Sequence, residues 1–382
     1  MSKRLLFVEP FYGGSHRQFV DALRARSSWE IELVTMPAKF WRWRRRLSAF
    51  EIARRMAERD LRPGAFDLVV VSDYVDIGDL KALRRRSILP PVFWYCHETQ
   101  STYPLPKGQT VGADIVATDI RNALHADAIA FNSAFHRDAF LKVYRSHTSL
   151  LHRWEPEWEI DSVEYKTRVL YPGIECPGPA PPRRASQASR GDPIILWNHR
   201  WEYDKNFGAF FRAVSRLAAK GLPFRLAILG ENPQAKPQTF LRARADLGER
   251  LVAFGYAGDS QTYRRWLIES DIVISTAIQE NFGIAVLEAM SEGCIPLLPR
   301  RLSYPEILPE SLHTTCIYDG DDELEAKLRA LIEAVSSTRE PRTDPGPPVR
   351  QAVTEAARRY CWDRRIVDFD DWFDGVNRQA DS

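Results

Sequence analysis

Long apolar runs are missing from this chain. No stretch approaches the ~18 residues that would suggest a membrane-spanning helix. The N-terminal MSKRLLFVEPFYGG holds an apolar run of only four residues before Glu9, too short for the core of a secretory signal. Cysteine is scarce as well. Its five copies, Cys96, Cys176, Cys294, Cys316 and Cys361, include no C-x-x-C pair and no histidine partner at zinc spacing, so a disulfide-dense scaffold and a zinc module are disfavoured. The G-x-G-x-x-G dinucleotide fingerprint is not found where the first strand turns into a helix, which disfavours a nicotinamide enzyme. A soluble protein of a reducing, cytoplasmic compartment is the expectation. What is present is 44% hydrophobic and 27% charged residues over 382 positions, a balance that excludes collagen-like, coiled-coil and wholly disordered chains and is long enough for two domains.

Net charge is only +2, yet it is unevenly spread. Residues 1–90 carry 18 Lys/Arg against 11 Asp/Glu, leaving the other 292 residues net negative. Much of the excess sits in KFWRWRRR (39–46), with Arg54, Arg55 and the run at 84–86 behind it. Such a cluster either favours a polyanion, whose phosphates release counterions on neutralisation, or is a solvated basic face.

Short apolar runs alternate with amphipathic stretches along the chain. Leu5–Val8, Ile31–Val34, Leu68–Val71, Val92–Tyr95, Ile129–Phe131 and Val169–Tyr171 read as strands of one parallel sheet, because they are apolar throughout rather than on alternate positions. A proline- and glycine-rich break, residues 173–193, reads as a linker. The rhythm then restarts with Ile194–Trp197, Leu226–Leu229, Leu251–Phe254, Ile272–Ile274 and Ile295–Leu298. The pattern predicts an α/β protein with a domain over 1–180, a second over 181–355, and a C-terminal helical segment, 356–382, crossing back to the first. Two doubly wound halves place a ligand-binding cleft at the carboxyl ends of their strands.

Three segments carry candidate chemistry. The first strand ends in EPFYGGSH, where Gly13 and Gly14 allow backbone amides near a ligand at a helix N-terminus, or form only a tight turn. In NHRWEYDKN, Arg200 and Lys205 follow a strand directly and either clamp a diphosphate or form an exposed basic pair near Glu202 and Asp204. In ISTAIQENFGIAVLEA, Glu280 lies in a loop and Glu288 two helical turns on. They are placed to accept sugar and ribose hydroxyls, with the amides of Phe282, Gly283 and Ile284 as donors to an anion; the alternative is a surface and a helix glutamate beside an amide-rich turn. Two D-x-D strings, Asp319–Asp321 and Asp368–Asp370, read as a helix cap and a polar helix face rather than a metal site.

These blocks resemble the GT-B retaining glycosyltransferases of the sucrose-synthase and mannosyltransferase family. With FYGGSHRQF (11–19), PAKFWRWRRRLSAF (37–50), WYCHETQSTYP (94–104), FNSAF (131–135), NHRWEYDK (198–205), FGY (254–256) and YPEI (304–307), the chain looks more narrowly like the tRNA-queuosine α-mannosyltransferases. Thr99 replaces an expected Asn, and Asn281 stands where an aromatic is more familiar. The resemblance implies GT-B architecture, two Rossmann-like domains facing across a cleft. It implies retaining transfer of mannose from GDP-mannose to the cyclopentenediol of queuosine in tRNA (of the tRNA-Asp type), with no metal and no other cofactor, and with tRNA and a nucleotide sugar as partners. Arg200 and Lys205 would neutralise the leaving diphosphate, Glu280 would hold the sugar, and His97 would face it. Glu288 would take the ribose, while Gly13, Gly14, Phe282, Gly283, Ile284 and Gly255 would complete the donor site. On the acceptor side the implied residues are His16, Lys39, Arg42, Arg44 and Arg45, with Trp41 or Trp43 stacking on a base, and Gln100 and Tyr103. Tryptophans packed in the core are the alternative for 41 and 43. The rival functions are a same-fold enzyme with another donor or with a small-molecule or lipid acceptor, and a non-catalytic RNA-binding protein.

Overall fold

A computed structural model describes residues 3–59, 64–84, 89–104, 111–148, 157–176, 191–231, 238–337 and 348–375. The chain forms two compact units, Met1–Gly173 with Trp362–Ser382, and Ile174–Cys361. Most of the expected linker (177–190) and of the proline-rich stretch at 338–350 lies outside the described residues, as do Arg85 and Arg86.

In unit 1 the strands are β1 (Arg4–Tyr12), β2 (Glu30–Pro37), β3 (Leu68–Val71), β4 (Val92–Cys96), β5 (Ala128–Phe131) and β6 (Thr167–Val169). They form one parallel sheet in the order β2-β1-β3-β4-β5-β6. Every residue of β3 and β4 is buried, which explains why these runs are apolar throughout: helices cover both faces of the sheet. Alternate residues of each strand enter two cores. Leu6, Val8, Val69, Val71, Trp94 and Phe131 join one; Leu5, Phe7, Leu68, Val70, Phe93 and Tyr95 join the other. Helix α1 (Gly14–Arg26) follows β1, and α2 (Trp41–Glu58) follows β2.

Unit 2 repeats the plan. β7 (Ile194–Asn198), β8 (Arg225–Leu229), β9 (Leu251–Gly255), β10 (Ile272–Ile274), β11 (Ile295–Pro299) and β12 (Ile317–Tyr318) form a second parallel sheet in the order β12-β11-β10-β7-β8-β9. At two residues, β12 is too short to leave a sequence pattern.

Three expectations change. The strand expected at Val169–Tyr171 occupies Thr167–Val169, and after it Leu170 lends its carbonyl to the Tyr95 hydroxyl at 3.1 Å. The C-terminal amphipathic segment is two helices, Pro348–Arg358 and Trp362–Gly375. Its break at 359–361 is held by the Ile174 amide, which donates to the Tyr360 carbonyl at 2.8 Å. Beside that bond Cys176 and Cys361 form a disulfide with Cα atoms 5.5 Å apart. The expected wholly reduced set of cysteines therefore does not hold here; the two residues are 185 positions apart, a separation no local spacing reveals. Cys96, Cys294 and Cys316 are buried and lie outside this disulfide.

Trp362, Phe369, Trp372 and Phe373 of the last helix are buried in the second core of unit 1, where Phe369 meets Phe19 at 5.5 Å and Tyr95 at 5.6 Å. The first D-x-D string does not cap the helix Gly320–Ser337 with its own carboxylates: Asp319 accepts from Arg300 Nε at 2.8 Å and Asp321 from Arg212 at 3.0 Å, while Glu323 accepts from the Asp319 amide. In the second, Asp370 accepts from Ser27 Oγ at 2.6 Å and from the Ser28 amide at 2.9 Å. Among the described residues no helix is long and apolar enough to cross a membrane. Phe369→Ala should lower the unfolding free energy by about 3–5 kcal/mol, the range for deleting a buried phenylalanine ring, as read from the shift in urea midpoint.

Candidate active site

In each sheet the chain starts on an interior strand, runs to one edge, and then returns to build the other. The gap at that reversal, at the carboxyl ends of the strands, is where doubly wound sheets hold ligands. In unit 2 the reversal lies between β7 and β10, which are adjacent. Lys205 comes from the loop after β7 and Glu280 from the loop after β10. Lys205 Nζ is 3.3 Å from Glu280 Oε2, 3.1 Å from Asp204 Oδ2 and 2.8 Å from the Gln279 carbonyl it donates to. Burial works against the Lys205 charge, but Glu280 and Asp204 outweigh it and raise its pKa. Burial likewise opposes ionisation of Glu280, yet Lys205 and His199 pull its pKa down. Lys205 is thus a buried, held cation rather than half of an exposed basic pair. Arg200 is different: its side chain is 60% exposed and pairs with Glu202 at 3.3 Å.

Glu280 also shapes the loop. Its Oε1 accepts from the Phe282 amide at 3.4 Å and the Gly283 amide at 3.1 Å. The expectation that these amides stand open to an anion is corrected, because the carboxylate of Glu280 already occupies them. Gly283 adopts φ +100°, a left-handed conformation in which a side chain is strained, immediately before the helix Ile284–Ser291. Phe282 is buried with its ring 5.3 Å from Tyr360. Asn281 is buried too, accepting from Gln279 Nε2 at 3.0 Å, so this departure from the family pattern points into the loop's own packing.

Glu288 sits one helix further in. Its Oε2 accepts from the Tyr263 hydroxyl at 2.9 Å, and that oxygen in turn accepts from Asn198 Nδ2 at 3.0 Å. Burial pushes the Glu288 carboxyl up to about 7. Tyr263 and Asn198 were not among the sequence candidates: Tyr263 stands in no motif, and Asn198 opens the NHRWEYDKN block whose signal was read from its cations. Gly255 ends β9 at φ +116°, and its carbonyl accepts from the Gly230 amide at 3.0 Å.

In unit 1 the reversal lies between β1 and β3. Gly13 is required by packing, since a Cβ there would stand 2.6 Å from that of Ala38, and Gly14 by its φ of +53°. Glu9, fully buried at the end of β1, accepts from the Phe11 amide at 2.8 Å and lies 3.1 Å from His16 Nδ1. Burial disfavours charge on His16, but Glu9, with Asp73 and Glu98, prevails and lifts it to about 9. His97 lies with its ring 4.3 Å from that of His16; burial, with His16 and His136, drives its pKa well down. Glu9, His16 and His97 offer ligand atoms within 4.8 Å of one another. An imidazole held protonated by Glu9 is a poor metal ligand, and the trio fits a hydrogen-bonded dyad beside a neutral histidine better. Gln100 donates to Glu98 at 3.0 Å, Tyr103 is half-buried, and Thr99 turns inward to His136 at 3.0 Å.

The basic block divides. Lys39, Arg42 and Trp43 are exposed; Arg44 donates to the carbonyls of Lys39 and Pro37. Arg45 is a correction: it is buried and donates to the carbonyls of Asp114 and Ile115 at 3.1 and 2.7 Å, which closes it to phosphate. Trp43 is 63% exposed and not in the core, whereas Trp41 is half-buried with its ring 6.5 Å from that of Tyr74.

Residues 4–174 match the family described as tRNA-queuosine alpha-mannosyltransferase N-terminal, and residues 182–345 match glycosyl transferases group 1. The tRNA-queuosine alpha-mannosyltransferase of Drosophila melanogaster is 32% identical over 323 residues, covering 81% of this chain and 83% of its own. The chain belongs to the tRNA-queuosine α-mannosyltransferase family. It is a glycosyltransferase of GT-B fold. Sucrose-phosphate synthase of Thermosynechococcus elongatus superposes with a TM-score of 0.72 at 14% identity over 99% of both chains. A glycosyltransferase of Rickettsia africae does so at 0.67 and 15% over 98% of both.

In this family member the raised pKa of Glu288 makes stability pH-dependent. The unfolded carboxyl ionises near its ordinary value of 4.5 while the folded one stays protonated until about 7, so stability falls as pH rises through that window. Glu288→Gln should abolish that fall, worth up to about 3 kcal/mol between pH 4.5 and 7, in urea unfolding compared at the two pH values.

Proposed function

We propose that the protein transfers mannose from GDP-mannose to the cyclopentenediol of queuosine in tRNA, in the cytoplasm and without a metal ion. The relationship to the fly enzyme along 81% of the chain carries this reading. The broader group 1 match covers residues 182–345, while the narrower family match covers 4–174. Unit 1 is accordingly the acceptor side and unit 2 the donor side. The acceptor oxygen bonds to the anomeric carbon as that carbon's bond to the donor phosphate breaks, and the hydroxyl proton passes to the departing phosphate oxygen. Negative charge grows on the leaving diphosphate. Lys205, held in place before the reaction, and the more mobile fork of Arg200 stabilise it, which lowers the barrier selectively. Glu280 accepts from hydroxyls of the sugar, Glu288 from those of the ribose, and neutral His97 lies on the acceptor side.

A second reading draws on α2. Phe40 (75% exposed), Trp43, Leu47 (50%) and Phe50 (52%) share one outward face with Arg42 and Arg46 beside them, a pattern that also suits a lipid surface. Sedimentation with anionic vesicles separates the two. Association with tRNA that weakens steeply with salt, and none with vesicles, is the expected result.

Purified protein given GDP-mannose and queuosine-containing tRNA should shift the queuosine nucleoside by one hexose in mass spectrometry, with EDTA present as well as without. UDP-glucose and UDP-galactose lanes should stay unshifted. Arg200→Ala should lower kcat/KM by roughly a hundredfold, about 3 kcal/mol, with an unchanged melting temperature; near-normal turnover would remove Arg200 from the mechanism.

A further inference from the structure

The reversal point of unit 1 holds a group of rings that the donor chemistry leaves unused. Phe11, which follows the buried stretch Leu5–Pro10 of β1, lies 5.5 Å from Tyr74, which follows β3. Trp41, the first residue of α2, approaches the same tyrosine at 6.5 Å, and His16 stacks near it at 6.5 Å with planes 23° apart. All four side chains are half-buried, so the cluster is a surface recess rather than core. Polar groups border it. Gln100 Nε2 lies 3.4 Å from the Tyr74 hydroxyl and 3.0 Å from Glu98 Oε1, and the Glu98 amide donates to Asp73 at 2.7 Å.

The backbone here is held against its preference. Tyr74 has φ +68° and Phe40, the residue before Trp41, has φ +56°. An aromatic residue in this region costs about 1–2 kcal/mol and persists only where its surroundings over-determine it. They do so at Tyr74. Ser48 of α2 donates to its carbonyl, and Asn122 donates to the next carbonyl, that of Val75, at 2.7 Å while accepting from the Ile77 amide at 2.9 Å. Strain maintained by three side-chain bonds, presenting a ring at the sheet's ligand-binding edge, marks Tyr74 as serving recognition rather than folding.

We propose that Phe11, Trp41 and Tyr74 form the slot for the acceptor's nucleobase, and that Glu98, braced by Gln100, reads the Watson–Crick edge of a guanine-type base. This rests on the tRNA reading above. A purine offers a flat face to aromatic rings, and base–ring stacking needs an unstacked base of the kind found in an RNA loop. A carboxylate accepts hydrogen bonds only. It therefore pairs with the N1–H and amino group of guanine or deazaguanine and is repelled by the N1 lone pair of adenine. Stacking fixes the base plane and the carboxylate fixes its identity, leaving the cyclopentenediol on the Hoogsteen edge of the base to reach the chemistry.

Tyr74→Gly is the informative variant, since glycine adopts the positive φ without strain and removes only the ring. Wild type, Tyr74→Gly, Glu98→Gln and Tyr165→Ala, an 82% exposed tyrosine of unit 1 outside this recess, are compared for mannose transfer to queuosine tRNA, GDP binding by calorimetry and melting temperature. The expected result is a loss of about tenfold or more in kcat/KM for tRNA in the first two variants, carried mainly by KM. GDP affinity and melting temperature stay at wild-type values, and Tyr165→Ala behaves as wild type. With GDP-mannose held saturating, the free base 7-deazaguanine should compete with tRNA, and adenine should not. Wild-type kcat/KM in Tyr74→Gly, or equal competition by the two bases, overturns the slot while leaving the function standing. A wild-type protein that binds GDP but modifies no queuosine overturns the function and the slot together.

Discussion

A buried ammonium governs unit 2. Lys205 has given up most of its water, and it stays charged only because Glu280, Asp204 and the Gln279 carbonyl surround it. Removing either partner class would leave an uncompensated charge inside the protein, which is costly. The loops after β7 and β10 are therefore held to each other, and Glu280 commits its second oxygen to the start of the following helix. One ion pair thus sets the position of a cation, a carboxylate and a helix at the strand ends. That fixed arrangement is what electrostatic catalysis requires, because groups oriented in advance need no reorganisation as charge develops.

Unit 1 reaches a similar end by other means. Its fixed charge is the Glu9–His16 dyad, and its fixed shape comes from backbone strain at Tyr74 and Phe40. Helix α2 serves both purposes. Ser48 and Arg45 point inward and bond to carbonyls, while Phe40, Trp43, Leu47 and Phe50 face out. The result is an aromatic and basic outward surface on a firmly anchored helix.

The two units also differ in how much they say about function. The β7 and β10 loops carry features shared by glycosyltransferases in general, and structures at 14–15% identity superpose on the chain almost end to end. Such likeness establishes the fold and no more. The narrower relationship lies in residues 4–174, the part of the chain that holds the dyad, the ring cluster and the basic helix.

Much of this was legible in the sequence. Buried parallel strands are apolar throughout, so Leu68–Val71 and Ile272–Ile274 declare themselves residue for residue, and both sheets follow from the rhythm of such runs. Lys205, Glu280 and Glu288 stand in motifs whose spacing relative to strand and helix is chemical in itself. What the sequence could not decide is direction and distance. Arg45 is one of three consecutive arginines, and only packing against Asp114 and Ile115 turns it inward. The Phe282 and Gly283 amides look open until Glu280 folds back onto them. Tyr74 and Tyr263 belong to no motif, and Asn198 only opens one; their roles arise because β1 lies beside β3 and β7 beside β10, contacts between segments tens of residues apart. The pairing of Cys176 with Cys361 is the extreme case, with 185 residues between them. Local patterning determines which segments become strands and helices, because it depends on neighbours three or four positions away. The folded chain alone decides which side chains meet at the ends of those strands, since that depends on the order in which the strands are laid down.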